Sequence, residues 1–263
     1  MRLFFVLTIG CIYFFFIRGW KKKPQDFYRN NKLFVWGHRG SPLKKTENTL
    51  PSFQKAIKQG VDGIELDVRC TKDRRAVVFH DQDLYRLAGK KEKIKEMNYD
   101  ELKTIAFHDN TTIPLLDDIV GIVHQIKALN IEIKSDSLFS GYSAIKPVIK
   151  FIKENSLYKK CVVSCFNPLI LIKLKIKNPS VIIGYLYNKN VPLHVWHNIF
   201  WMRRVQPDSL HIHYSLIDSL PVRWAQKQNL KISSYTVNDK TVYQNIKTLK
   251  LDGIFSDNIE YLK

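Results

Sequence analysis

The sequence predicts an irregular TIM-type (β/α)8 barrel, preceded by one N-terminal transmembrane helix. Three observations lead there. Short β-like runs alternate with longer helical stretches, the pattern of parallel strands covered by helices. The chain has 263 residues, about the size of one such barrel and too short for two generous domains. Its first residues form an apolar run, Leu3 to Ile17, interrupted only by Thr8, Gly10 and Tyr13.

The leader comes first. Arg2 flanks it on one side and Arg18, Lys21, Lys22 and Lys23 on the other. Its length fits either a signal-peptide core or a short transmembrane helix. The run Phe16-Ile17-Arg18-Gly19-Trp20-Lys21 offers no small-x-small cleavage site, and Thr8 is a poor lipoprotein signal three residues before Cys11. An uncleaved membrane anchor with a basic flank is therefore expected over residues 1–23. Trp20 and the lysines suit a membrane interface, and the heavier positive charge after the run places the catalytic domain on the cytoplasmic side. Cys70, Cys161 and Cys165 form no disulfide framework, which agrees with that compartment. Cys161-Val-Val-Ser-Cys165 reads as a buried strand rather than a zinc pair.

Net charge is +18. Such a charge attracts a membrane surface, a phosphate substrate or nucleic acid. Lysines are spread along the chain rather than gathered into a tail, and no nucleic-acid motif is present, so no nucleic-acid partner is expected.

The barrel domain is expected over residues 33–263. Strands are expected at Leu33–Trp36, Gly63–Val68, Ala76–Phe79, Asn130–Lys134, Cys161–Cys165, Val181–Leu186, Ser209–His213, Lys231–Val237 and Gly253–Phe255. Helices are expected at Thr49–Gln59, Tyr99–Ile105, Leu116–Ala128, Tyr142–Glu154, Pro168–Lys175, Leu220–Gln228 and Lys240–Leu249. One link breaks the alternation. Arg69 to Arg75 is too short for a helical crossover, which needs about a dozen residues. An antiparallel hairpin turning near Asp73 is the solution, and it brings Asp67 roughly opposite His80.

Four polar clusters fall at strand ends, where a TIM-type barrel carries its active site: Gly37-His38-Arg39-Gly40, Glu65-Leu66-Asp67, His80-Asp81 and Glu132-Ile133-Lys134. Alternate strand residues share a face, so Glu65 and Asp67 point the same way. Paired carboxylates repel, and a divalent cation relieves them. With Glu132 they would form a hard oxygen site suited to Mg²⁺ or Ca²⁺. A solvated strand face would also carry acids at this spacing, but the other face of Gly63–Val68 is apolar. His38 and His80 suit proton transfer near neutral pH. Arg39 and Lys134 suit phosphate oxygens and developing charge. Gly37 and Gly40 would let backbone approach a ligand.

These residues stand in an ordered series. His38-Arg39-Gly40, Glu47-Asn48-Thr49, Phe53, Ala56, Gly60 and Glu65-Leu66-Asp67-Val68 come first. Thr71-Lys72-Asp73, Val77-Val78, His80-Asp81 and Ile113-Pro114-Leu115-Leu116 follow. Asn130 to Lys134, Thr236-Val237-Asn238 and Asp252-Gly253-Ile254 complete it. The series resembles the signature of the glycerophosphodiester phosphodiesterases, from Phe34 to the C-terminus. The resemblance implies a TIM-barrel hydrolase that splits a phosphodiester into a phosphomonoester and an alcohol. It implies metal ligands at Glu65, Asp67 and Glu132, His38 as base, His80 as acid, and phosphate contacts from Arg39 and Lys134. Tyr235 stands where the family often has Trp, so the alcohol or glycerol pocket is expected to differ. Asp73-Arg74-Arg75 replaces the frequent Asp-Gly turn.

Three readings of function stay open at this point. One is hydrolysis of small glycerophosphodiesters to glycerol 3-phosphate. Another is lysophospholipase D, the same bond chemistry on a lysophospholipid, giving lysophosphatidic acid. The third is a catalytically silent lipid- or phosphate-binding barrel, against which the full set of two His, three acids and Lys134 argues.

Overall fold

The structure is a computed structural model. It describes residue 10, residues 20–28, 32–188 and 195–260, and only the backbone of 195–198. In chain order the strands are β1 (Phe34–Gly37), β2 (Gly63–Cys70), β3 (Ala76–Val78), β4 (Ala128–Ile133), β5 (Cys161–Cys165), β6 (Ile182–Tyr187), β7 (Ser209–His213), β8 (Lys231–Tyr235) and β9 (Gly253–Ser256). All but β3 are parallel, and a β1–β2 pairing closes them into an eight-stranded barrel. Each expected strand forms, with ends displaced by at most two residues.

Among the described residues six longer helices cover the barrel: α1 (Leu50–Lys58), α2 (Ile145–Glu154), α3 (Pro168–Lys177), α4 (Val195–Val205), α5 (Leu220–Lys227) and α6 (Lys240–Lys247). Their starts are written locally. Thr49 caps α1, accepting from Ser52 N, and Pro51 sits where a missing N–H costs nothing. Alternation along β2 divides its side chains. Ile64, Leu66 and Val68 join the main apolar core, while Glu65 and Asp67 lie among buried polar groups.

Two helix expectations need correction. Leu116–Ala128 is not one helix. It is a 3-10 turn, Leu116–Ile119, followed by one helical turn, Val120–Val123. Ala128 already pairs with Gly63 in the barrel, and Lys127 N donates to Asp62 O, so strand pairing overrides the helical pattern. Helix α4 was not expected, because its aromatic and β-branched residues have weak helical propensity.

The early hairpin is present. Val68 pairs with Val78 and Cys70 with Ala76. Its turn is closed by Arg74 N donating to Thr71 O at 3.0 Å. Arg74 takes φ +63°, a conformation in which glycine is at ease, which is the physical content of the missing Asp-Gly. Phe79 N donates to Asp67 O, so Asp67 faces Phe79, one residue short of His80. Residues between β3 and Leu116 form a small layer with its own core, including Phe79, Leu84, Ile94 and Phe107.

Residues 20–28 seal the mouth where the strands begin. Trp20 Nε1 donates to Pro207 O and Gln25 Nε2 to Asp208 O, at 2.8 and 3.0 Å. The Tyr28 hydroxyl meets Ser233 Oγ, and its ring packs on Phe34 and Trp36. Among the described residues no helix is long and apolar enough to cross a membrane. The expected anchor, Leu3–Ile17, lies outside the described residues apart from Gly10.

Candidate active site

Parallel pairing of β2 with β4 sets Asp67 beside Glu132 and Glu65 beside Asn130. One carboxylate oxygen from each of Glu65, Asp67 and Glu132 lies within 4.8 Å of the others. All three are buried. Glu65 Oε1 and Asp67 Oδ1 are enclosed with no hydrogen-bond partner, a costly arrangement that a bound cation would relieve. Burial, reinforced by the charge of Asp67, pushes the Glu65 carboxyl up to about 8. Burial also acts on Asp67, but Lys134 and Arg39 outweigh it and hold that carboxyl below the usual range. The residues therefore fit a divalent cation.

Lys134 Nζ donates to Glu132 Oε1 at 2.7 Å and stands 3.5 Å from Asp67 Oδ1. Burial would lower its pKa, but Glu132 and Asp67 raise it above the ordinary lysine range. Asn48 braces Asp67 from both sides: its amide donates to Oδ2 at 2.8 Å, and its carbonyl accepts from Asp67 N.

His38 and Arg39 follow β1. The Arg39 amide donates to Glu65 Oε2 at 2.9 Å. Its guanidinium donates to Glu47 and lies 3.3 Å from Asp67 Oδ2, within ion-pair reach but without hydrogen-bond geometry. His38 Nε2 lies 4.0 Å from Glu65 Oε2, and Nδ1 lies 2.7 Å from Asp257 Oδ1. Burial would lower His38, but the hydrogen bond to Asp257 and the charge of Glu65 raise it overall. Gly40 is at φ +90°, and a Cβ there would meet Ser52 Oγ at 2.5 Å. So Gly40 serves the packing of its own loop on α1, rather than the approach to a ligand.

His80 leaves β3 with Nδ1 2.6 Å from Asp81 Oδ1. Burial would raise Asp81, but His80 and Arg86 hold it well below the carboxylate range. Arg86 donates through Nε to Asp81 and through both terminal nitrogens to Glu47. One guanidinium thus ties the support of His80 to that of Arg39. Arg69 Nε donates to the His80 carbonyl at 2.8 Å while its fork grips Asp136.

A cavity of about 180 Å³ opens among these groups. His38, Arg39, Glu65, His80, Glu132, Lys134 and Tyr235 all line it, with Phe166, Leu186 and Phe255 as an apolar wall. Of the site residues expected from sequence, only Asp67 is missing from the lining, and its buried carboxylate stays within 4.8 Å of those of Glu65 and Glu132, which do line it. Burial raises the Tyr235 phenol above its ordinary value, and its hydroxyl donates to Tyr187 O at 2.8 Å. A larger cavity of about 610 Å³ adjoins across Lys134, with Arg69, Gln82, Phe139 and Tyr142 on its walls.

The sequence model described as "Glycerophosphoryl diester phosphodiesterase family" matches residues 38–261. The chain belongs to this family. A glycerophosphodiester phosphodiesterase of Caldanaerobacter subterraneus is 32% identical over 240 residues, covering 88% of this chain and 96% of the relative. The crystal structure of glycerophosphodiester phosphodiesterase from Thermotoga maritima superposes with TM-score 0.74 at 31% identity, covering 89% and 98% of the two chains. An Oleispira antarctica phosphodiesterase, solved in complex with the product sn-glycerol-3-phosphate, superposes with TM-score 0.76 at 27% identity. That match covers 86% of this chain and 94% of the other.

Sequence reasoning placed Asp81 beside His80 but missed the partner of His38. Asp257 follows the last strand and is 219 residues from His38. Asn238 holds it, donating to its Oδ2 and accepting from its backbone N–H through the amide oxygen. Thr236-Val237-Asn238 and Glu47-Asn48 are visible as motifs, which was a usable signal; Asp257 and Arg86 carry none of their own. His211 is enclosed in the barrel between Phe255 and Gly184, and the remaining described His lie outside the catalytic cavity.

Proposed function

We propose that this protein hydrolyses glycerophosphodiesters to glycerol 3-phosphate and an alcohol, with a divalent cation held by Glu65, Asp67 and Glu132. The observation that carries the reading is one cavity lined by two carboxylate-supported His, two cations and an acid cluster with unpaired oxygens. Family membership and the product complex of the Oleispira enzyme support it. When bound, Mg²⁺ or Ca²⁺ would supply Lewis-acid neutralisation of phosphate charge.

The protein's own groups do the rest. Arg39 and Lys134 hold the phosphate oxygens. His38 takes a proton from the attacking water, or from a neighbouring substrate hydroxyl whose attack gives a cyclic phosphodiester that a water then opens to the phosphomonoester, and Asp257 orients the imidazole and steadies its charge. Phosphorus gains the new bond to oxygen and loses the bond to the alcohol oxygen. His80, held by Asp81, gives its proton to that departing oxygen. Tyr235, Phe166 and Leu186 offer the apolar surface on which glycerol or the alcohol rests. A membrane anchor over the apolar run, Leu3–Ile17, and a cytoplasmic-facing barrel belong to the same reading, supported by that run and its flanking charges.

Product analysis on a panel of glycerophosphodiesters and lysophospholipids, with and without detergent, tests the reading. Glycerol 3-phosphate from glycerophosphocholine or glycerophosphoethanolamine is the expected result. Exclusive release of lysophosphatidic acid from lysophospholipids would replace it with the lysophospholipase D reading. Binding without turnover of any substrate would leave a silent barrel.

A further inference from the structure

The positive charge of this chain is not spread over the barrel. In a (β/α)8 barrel the segments that bring chain into the strands all lie at one pole, and those that leave lie at the other. Residues 20–28, 55–62, 120–127, 151–160, 174–181, 202–208, 224–231 and 244–252 feed the strands, counted from the last four residues of each helix. Together they carry seventeen Lys or Arg against five Asp or Glu. Four of those five acids are already paired: Asp62 with Lys127, Glu154 with Lys150, Asp208 with Lys23, and Asp252 with Lys231. Residues 38–49, 71–75, 79–115, 134–144, 166–167, 213–219, 236–239 and 257–260 leave the strands and surround the catalytic mouth. They carry thirteen Lys or Arg against fourteen Asp or Glu.

Some of this asymmetry is local. Basic residues in the last turn complement a helix dipole, as Lys175 and Lys177 do on α3 and Lys247 on α6. That explanation does not reach Lys127, Lys159, Lys160 or Lys250, which stand in the loops beyond the helices. The path of the chain is a second, independent observation. Trp20 is fixed at this same basic pole by its bond to Pro207 O and its stacking on Trp224. The first described residue of the barrel, Trp20, therefore stands on the basic side, directly after the apolar run and its basic flank in sequence. Lys22 lies over the Trp20 ring, which adds one more cation where the chain enters the barrel. Ile176, between Lys175 and Lys177, is 77% exposed there.

We infer that the basic pole is a docking surface for an anionic phospholipid membrane, which leaves the catalytic mouth turned away toward the aqueous phase. The apolar leader and the basic pole then act on the same lipid surface, the first by burial and the second by charge. Substrate reaches the site from the water side, so a soluble glycerophosphodiester meets the site more directly than a lipid in the docked leaflet. That route for the substrate rests on the phosphodiesterase reading; the docking surface does not.

The test uses the full chain in a Cys11→Ser background, with an environment-sensitive fluorophore on Ile176→Cys or on Phe139→Cys. Phe139 is 87% exposed in the loop after β4, beside the catalytic mouth, and Cys70, Cys161 and Cys165 are buried away from label. Phosphatidylcholine vesicles report the apolar leader alone. Vesicles with equal parts phosphatidylcholine and phosphatidylglycerol add the charge. The Ile176 probe is expected to shift to the blue on the anionic vesicles while the Phe139 probe stays unchanged. Reversing Lys159, Lys177 and Lys250 to Glu should weaken anionic partitioning about fivefold for each charge. Reversing Lys72, Lys90 and Lys91 should leave it intact. A blue shift at Phe139 with none at Ile176 would overturn the orientation. No loss in the first triple variant would overturn the docking surface, and an equal shift on an oligonucleotide would overturn its assignment to lipid.

Discussion

His38 Nδ1 and Asp257 Oδ1 lie 2.7 Å apart, joining the end of the first strand to the end of the last. The closure of the barrel makes them neighbours, since β1 pairs with β9. A carboxylate on Nδ1 leaves Nε2 facing Glu65 and the cavity.

Asp257→Asn keeps the shape and removes the charge. Asparagine can donate to Nδ1 and favour the wrong tautomer, so kcat should fall by on the order of 10²–10⁴, the range of general acid–base help. Asp257 is partly exposed, so the melting temperature should change little. Steady-state kinetics beside a thermal melt decide it. Unchanged kcat would remove Asp257 from the machinery.

Chelation should abolish turnover, and Mg²⁺ or Ca²⁺ should restore it. Binding should also stabilise the fold, by about 2.7 kcal/mol at a hundredfold excess over Kd. Glu65→Gln and Glu132→Gln should lose the metal-induced thermal shift along with activity. Full activity after rigorous metal removal would sink the cation site.

A general acid matters when the leaving group is poor. His80→Ala should cripple hydrolysis of glycerophosphocholine by on the order of 10²–10⁴-fold. It should spare much of the activity on a nitrophenyl phosphodiester, whose phenolate leaves without a proton. His38→Ala should damage both substrates. The opposite pattern would exchange the two roles.

His211 provides a pH prediction separate from catalysis. Burial in the barrel pushes its pKa down to about 3. The unfolded chain binds the proton near 6.5, so between these values the unfolded state holds more protons than the folded one. Stability is therefore full above about pH 6.5 and falls as the pH drops through the interval toward 3. His211→Gln should flatten that acid slope in denaturant titrations run at several pH values. The site has no spare room: a Cβ at Gly184 would come within 2.7 Å of His211 Cε1. Gly184→Ala should cost about 1–3 kcal/mol by overpacking.

Much of this protein is written locally. Alternation along Gly63–Cys70 already separated Glu65 and Asp67 from Ile64, Leu66 and Val68, because the side-chain period of a strand is two. The short Arg69–Arg75 link already demanded a hairpin, because no crossover fits in it. Glu132 and Lys134 were legible from the same spacing, and the length of the chain bounded the barrel. Other features depend on distant parts of the chain meeting. Ala128 became strand rather than helix because Gly63 was there to pair with it. Asp257 supports His38 only because β9 returns beside β1, and Arg86 joins Glu47 to Asp81 across 39 and 5 residues. The charge total of +18 was plain from composition, but its collection at one pole was not. Residues spread evenly along a chain are sorted in space by the barrel, which sends every strand's entering segment to one end and every leaving segment to the other.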